Sequence, residues 1–116
     1  MTRDIAASIR QRLLNHARAS GGPFLNVSAF VARQKVTGYV LDHVSDHLAG
    51  DEPSLVVDGE RFLWRVPVYL AVLPQGRLGQ VGTIDVDAQN GQLLVTETLV
   101  EEIRRNAWTL VERPSA

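Results

Sequence analysis

Two aspartates separated by a single residue are the first candidates for chemistry in this sequence. Asp85 and Asp87 occupy alternate positions of a segment with strand character, so their carboxylates should point to the same side. Such a pair could hold Mg²⁺ for phosphoryl or nucleotidyl transfer. No Gly-rich phosphate-binding loop and no third carboxylate accompany the pair in the sequence. We therefore favour the alternative, in which Asp87 starts a turn through its side chain and Asp85 lies on a solvated face.

Two histidines four residues apart form a second candidate, a zinc site. His43 and His47 fall on a predicted helix beside Asp42 and Asp46, so one ion could bind both imidazoles and a carboxylate. However, Val44 stands where zincin metalloproteases place the glutamate that follows the first histidine. The pattern favours a polar helix face, and we expect neither a bound metal nor a cofactor.

The composition removes most other catalytic chemistry. The chain of 116 residues has no cysteine, which excludes disulfides, thiolate metal sites and cysteine nucleophiles. None of its serines lies in a G-x-S-x-G nucleophile elbow. We therefore expect a protein that is not an enzyme. The alternative is a metal-dependent nucleotide-processing enzyme that uses the two aspartates or the two histidines.

The elements that must position these side chains can be predicted from the spacing of apolar residues. The pattern predicts one α+β domain over residues 1–116, with residues 1–50 helical. A first amphipathic helix covers residues 4–19, and a second begins at Asn26 or Ser28 and stops at Gly50. The predicted inward-facing positions of the second helix are Phe30, Val36 or Thr37, Val40, Leu41, Val44 and Leu48.

Residues 54–95 alternate with period two between turn signals, which predicts an antiparallel β-meander of three to four strands. The longest strand, from Arg61 to Leu73, carries one apolar face made of Phe62, Trp64, Val66, Val68, Leu70 and Val72. Pro67 cannot donate a ladder hydrogen bond, so it predicts an edge segment or a bulge. The Asn90-Gly91 pair predicts a tight turn with positive φ.

A C-terminal helix over residues 98–112 completes the prediction. Thr98 opens it with Glu101 in capping-box spacing, and Trp108 lies off the centre of its apolar stripe. The helices are expected to cover one face of the sheet, which gives a two-layer sandwich.

The charge distribution is uneven although the formal net charge is only −1. The first predicted helix is basic, and Arg3, Arg10 and Arg18 could contact nucleic-acid phosphates. No aromatic residues are interleaved to stack on bases, so a nucleic-acid binder is a further alternative rather than the preferred function. The sequence has no apolar stretch of the roughly 20 residues that a membrane helix needs, and no signal-peptide core. We expect a cytoplasmic location without membrane contact.

Two segments resemble known families. Residues 81–94 read VGTIDVDAQNGQLL, and together with WRVPV at residues 64–68 they resemble the hairpin of PepSY-like domains, which pair a β-meander with a helix. This resemblance, over residues 61–95, is to small uncharacterised bacterial proteins and implies an interaction or regulatory domain without catalytic residues. Residues 4–18, DIAASIRQRLLNHAR, resemble the leading helix of abortive-infection nucleotidyltransferase toxins. The Gly-Ser phosphate-binding element of those enzymes is missing here, so their activity is not carried over.

The function expected from the sequence is a non-catalytic protein-interaction or regulatory module, of which an antitoxin-like partner of a toxin is one form. Such a protein acts as a homo-oligomer or on a separate protein partner. The residues expected at the interface are Arg3, Arg10, Arg18, Pro67 and Tyr69.

Overall fold

The fold is α+β and its sheet is antiparallel, as the sequence predicted. It is seen in a computed structural model that describes residues 25–112. In chain order these residues form α1 (Ala29–His43), β1 (Leu48–Gly50), β2 (Ser54–Asp58), β3 (Arg61–Val72), β4 (Gly76–Asp87), β5 (Leu93–Leu94) and α2 (Glu97–Glu112). The helix predicted over residues 4–19, with Arg3, Arg10 and Arg18, lies outside the described residues. Neither α1 nor α2 is long and apolar enough to cross a membrane.

The long strand β3 lies at the centre of the sheet. On one side it pairs with β4, which in turn pairs with β5, and on the other side it pairs with both β1 and β2. The two short strands follow one another along the same edge of β3: β1 lies opposite Val68–Leu70, and β2 lies opposite Arg61–Arg65. Every strand pairing is antiparallel, and the register of β3 with β4 shifts twice, between Val68 and Tyr69 and between Leu70 and Ala71.

Of the edge segment or bulge predicted for Pro67, the structure shows neither at this residue, because β3 is paired on both sides and the first register shift follows Val68. Pro67 lies opposite Thr83 of β4, and on its other side it faces the gap between β1 and β2. In that gap the Pro67 carbonyl accepts a hydrogen bond from the Asp51 backbone N–H, at 2.7 Å. The N–H and C=O of a strand residue point to the same side, so the missing donor also faces the gap. An interruption in the neighbouring strands thus lets a proline lie inside the sheet.

The second predicted helix begins as expected but ends early. Ser28 is its N-cap, and its side-chain oxygen accepts a hydrogen bond from the Val31 N–H at 3.1 Å. The stop at Gly50 is wrong, since α1 ends at His43 and Leu48–Gly50 forms β1. Gly50 donates its N–H to Thr37 Oγ1 and accepts from Arg33 Nε, both at 3.0 Å, so α1 itself holds this strand against β3.

The buried side of α1 also differs from the prediction. Its buried residues are Ala32, Val36 and Val40, which recur every four positions. The inward positions predicted for Phe30 and Leu41 are wrong, because both side chains are exposed on the opposite side of the helix. The sequence pattern is ambiguous here because α1 carries apolar residues on both sides.

The apolar face of β3 is the core, as predicted. Val66, Val68 and Leu70 are buried in one cluster with Val36 and Val40 of α1, Ile84 of β4 and Ile103 of α2. Trp64 and Val72 pack against that cluster, and Phe62 is buried with Ala88 at the end of the sheet. Both described helices therefore lie on one face of the sheet, so the described residues form two layers.

The C-terminal helix is capped by Thr96 and not by Thr98. Thr96 Oγ1 accepts a hydrogen bond from the Leu99 N–H, and its carbonyl accepts from the Val100 N–H, each at 3.1 Å. The helix starts one residue before the predicted boundary and ends at the predicted residue, Glu112. Thr98 and Glu101, which were expected to form a capping box, therefore lie within the helix and not at its N-cap.

We predict that Trp64→Ala lowers the free energy of unfolding by about 3–5 kcal/mol, because it leaves a cavity between the two apolar clusters. It also removes the hydrogen bond from Trp64 Nε1 to the Val27 carbonyl, which is 2.7 Å long. Denaturant unfolding at low protein concentration measures the loss. The exposed Trp108→Ala is the matched control and should change stability by less than about 0.5 kcal/mol. A loss below about 1 kcal/mol for Trp64→Ala would show that this face is not the core.

We predict that Gly91→Val destabilises the fold by at least about 1 kcal/mol more than Gln89→Val. Gly91 is buried with a φ of 77°, which a β-branched residue rarely adopts. A Cβ atom there would also lie 3.2 Å from Val27 Cγ2 and from Lys35 Cε, whereas Gln89 is exposed. Thermal or denaturant unfolding of the two variants makes the comparison, and equal stabilities would refute the turn.

Candidate functional site

The two aspartates considered as a candidate magnesium site have structural partners. Arg65 Nε and Nη2 donate to Asp85 Oδ1 and Oδ2 across the β3–β4 pair, each at 2.9 Å. This bidentate ion pair raises the pKa of Arg65 above its ordinary value. The hydrogen bonds to Asp85 are the larger cause, and the negative charge of the Asp85 carboxylate is the second. Residues 25–112 contain no group of three His, Cys, Asp or Glu side chains that could hold a metal ion.

Asp87 starts the β4–β5 turn, as the sequence predicted. Its Oδ1 accepts hydrogen bonds from the Gln89 N–H at 2.8 Å and from the Asn90 N–H at 3.1 Å. Its other oxygen, Oδ2, lies 3.8 Å from Arg61 Nη2. Both carboxylates of the acidic pair are therefore bound already, Asp85 by Arg65 and Asp87 by the turn and Arg61.

The predicted histidine pair does not share a helix face. Because α1 ends at His43, His47 lies beyond the helix in the connection to β1. The His43 ring contacts Tyr39 with ring centroids 4.5 Å apart, and His47 Nε2 lies 3.6 Å from Asp46 Oδ1. The i, i+4 geometry on which the zinc hypothesis depended is absent from this part of the structure.

A polar cavity of about 520 Å³ separates the end of α1 from the start of α2. Its wall includes Tyr39, His43, Glu97, Glu101 and Arg104. Arg104 Nη1 donates to Glu101 Oε2 at 2.9 Å, and Nη2 donates to the His43 carbonyl at 3.0 Å. The arginine thus joins the two helices, and we assign the cavity no ligand.

Tyr69, predicted to lie at an interface, belongs to a cluster on the sheet face that the helices leave open. The Arg77 guanidinium carbon lies 3.7 Å from the centroid of the Tyr69 ring, and Arg77 Nη1 lies 2.9 Å from Asp51 Oδ2. The Glu52 backbone N–H donates to Asp51 Oδ1 at 2.8 Å, and this bond, together with Arg77, lowers the pKa of Asp51. The cluster ties the β1–β2 connection to β3 and β4.

The strongest candidate site is an apolar cleft of about 350 Å³ between α2 and one end of the sheet. Its lining residues are Val44, Ser45, His47, Leu48, Leu70, Val72, Arg104, Ala107, Trp108 and Val111. Leu48 of β1 pairs with Leu70 of β3, so adjacent strands contribute to the same wall. On the side of α2, Trp108 is 64% exposed and Val111 is 53% exposed. We call Trp108, Val111 and this cleft the Trp108 surface.

Close packing of α2 on β4 determines where Trp108 stands. Ile103 lies against Gly82, where a Cβ atom would be only 2.8 Å from Ile103 Cγ1, and Leu110 lies against Gly79. Asn106 Nδ2 donates to the Val81 carbonyl at 2.8 Å, next to the first register shift. With the other side of the helix held in this way, Trp108 lies beside the sheet and is left exposed.

Sequence reasoning missed this cleft. The one available signal was Trp108, a large apolar residue off the centre of the stripe of its helix, and the structure leaves its side chain exposed. The opposite wall could not be predicted, because Leu48 was assigned to a helix and forms a strand instead.

Comparisons with protein-family models, with curated proteins and with solved structures give no match to this chain. The two resemblances drawn from the sequence therefore stay predictions.

We predict that Asp51→Asn destabilises the protein at neutral pH and that the difference from the wild type narrows in acid. The folded-state pKa of Asp51 is lowered, so its stabilising effect is present above the ordinary carboxyl pKa and is lost as the pH falls through the folded value. Denaturant unfolding of both proteins from pH 7 down to about pH 2 tests this. A difference in stability that does not change with pH would contradict it.

Proposed function

We propose that this protein is a non-catalytic protein-interaction module and that it associates with a second copy of itself through the Trp108 surface. The supporting observation is that Trp108 and Val111 are exposed beside an open apolar cleft. Clustered exposed apolar side chains mark interaction sites more often than chance exposure of single residues does. Tryptophan is also the residue type most enriched among those that dominate binding energy.

The same surface combines a projecting apolar group with a recess. A two-fold contact is isologous, meaning that the same patch is used by both copies, so it requires a patch that complements itself. Trp108 of each copy can enter the cleft of the other, and both clefts lose water in one contact. Burial of apolar surface contributes roughly 25 cal/mol per Å², so this exchange favours association.

The positions of the candidate catalytic groups support binding over turnover. Asp85 forms a bidentate pair with Arg65, and Asp87 holds the turn that starts β5. To bind a metal ion, either carboxylate would first have to leave partners that stabilise the sheet. The PepSY-like resemblance implies an interaction or regulatory role, and an antitoxin-like partner of a toxin is one form that such a module can take.

We predict that the purified wild-type protein is a dimer by light scattering and that Trp108→Ala combined with Val111→Ala raises its dissociation constant at least tenfold, roughly 1.4 kcal/mol. Glu102→Ala is the matched control, because Glu102 is exposed on the same helix, about 120° away from Trp108 in projection. This variant should associate like the wild type.

Two results would contradict the proposed function. One is a wild-type protein that stays monomeric at all accessible concentrations. The other is metal-dependent hydrolysis or nucleotidyl transfer that is abolished by Asp85→Asn and Asp87→Asn while the fold is retained, which would establish the enzyme.

A further inference from the structure

A buried leucine lies on the sheet face opposite the described helices. Leu63 alternates with the core residues Phe62 and Trp64 of β3, so its side chain points away from α1 and α2. It is nevertheless only 3% exposed, and it belongs to neither apolar cluster of the described residues. An antiparallel sheet with one packed face usually leaves the other face to water. The burial of Leu63 therefore needs a second cover.

The residues around Leu63 form a patch that crosses the sheet. Val56 of β2 lies opposite Leu63, and Leu94 of β5 lies opposite Asp85, which shares this face. Both apolar neighbours are partly buried. Asp85 and Asp87 lie on β4, between these two apolar residues. Their side chains are only 19% and 13% exposed, although they lie on the face without a described helix. We call Val56, Leu63, Asp85, Asp87 and Leu94 the Leu63 patch.

We infer that residues 1–24 of the same chain dock on the Leu63 patch. The side expected to face the patch is apolar, because four apolar residues recur every four positions along the predicted first helix: Ile5, Ile9, Leu13 and Ala17. Only two segments of the chain lie outside the described residues, and residues 113–116 are too few to cover a patch that spans four strands. The sequence pattern of residues 4–19 is that of an amphipathic helix with the apolar stripe that such a contact requires.

The described chain starts near the patch. Leu25 packs with Phe62 and Ala88. Phe62 directly precedes Leu63 in β3, and Ala88 directly follows Asp87, the last residue of β4. The N–H groups of Asn26 and Val27 both donate to the Ala88 carbonyl, at 3.0 and 3.1 Å, which fixes the chain at this end of the sheet. Residues 20–24 can span about 17 Å when extended, enough to pass around the sheet from one face to the other.

Charge also favours this contact. The sheet face near Leu63 carries Asp58, Asp85 and Asp87 against Arg61 and Arg65, so carboxylates are in excess there. Residues 3–18 carry Arg3, Arg10, Arg12 and Arg18 against the single carboxylate of Asp4. A basic amphipathic segment thus meets a partly apolar surface with an acidic excess. Residues 1–112 would then have a helix layer on each side of the sheet, unlike the two layers expected from the sequence.

The test uses paramagnetic relaxation in the full chain. Because the protein has no cysteine, Gln11→Cys gives one attachment site for a nitroxide, on the side of the predicted helix away from its apolar stripe. We expect the amide signals of Val56, Leu63 and Leu94 to lose severalfold more intensity than those of Leu41 and Trp108. Leu13→Asp in the labelled protein should abolish this difference, whereas Asn15→Asp, which adds the same charge, should leave it.

Three results would overturn the inference. The first is signal loss centred on the exposed side of α1 or on the Trp108 surface. The second is no selective loss at the Leu63 patch while the spectrum of the sheet stays dispersed. The third is loss at the patch of isotopically enriched protein that carries no nitroxide, when it is mixed with nitroxide-labelled protein at natural isotopic abundance, because the segment would then come from a second copy.

Discussion

The alternation of side chains along β3 is the constraint on which the rest of the structure depends. Every second residue of this strand is apolar, and hydrogen bonds to strands on both edges hold it in the middle of the sheet. A shift of register by one residue would expose Val66, Val68 and Leu70 and bury Arg65. The register of β3 therefore determines both the face on which α1 and α2 pack and the face that bears the Arg65–Asp85 pair.

That constraint explains which features could be predicted from the sequence. Period-two alternation is a local signal, so the apolar face of β3 and the antiparallel class of the sheet were predictable. The Asp87 turn was predictable too, because its side-chain hydrogen bonds span at most three residues. The boundaries that failed depend on contacts distant in sequence. Leu48–Gly50 leaves the helical pattern because β3 offers it a pairing partner, and Pro67 is tolerated only because two other strands leave a gap opposite it. The candidate cleft was unpredictable for the same reason.

The positions of the polar residues bear on function as much as the core does. The carboxylates that suggested catalysis stabilise the sheet and its turn, and the histidines that suggested zinc are separated by the end of α1. In contrast, Trp108 is large, apolar and held away from the core by the packing of Ile103 and Leu110 on β4. A side chain of this kind on a helix with a fixed position gains most from a partner that removes it from water. These features favour the proposed association through the Trp108 surface.

The two tryptophans provide the most direct measurement of this central claim, because each reports on one side of it. Trp64 Nε1 donates to the Val27 carbonyl inside the fold, while Trp108 stands at the proposed contact. The two indole N–H signals can be followed by NMR as the protein concentration is raised. We predict that the Trp108 signal shifts or broadens with concentration while the Trp64 signal keeps its position. A Trp108 signal that stays unchanged up to millimolar protein would contradict association through this surface.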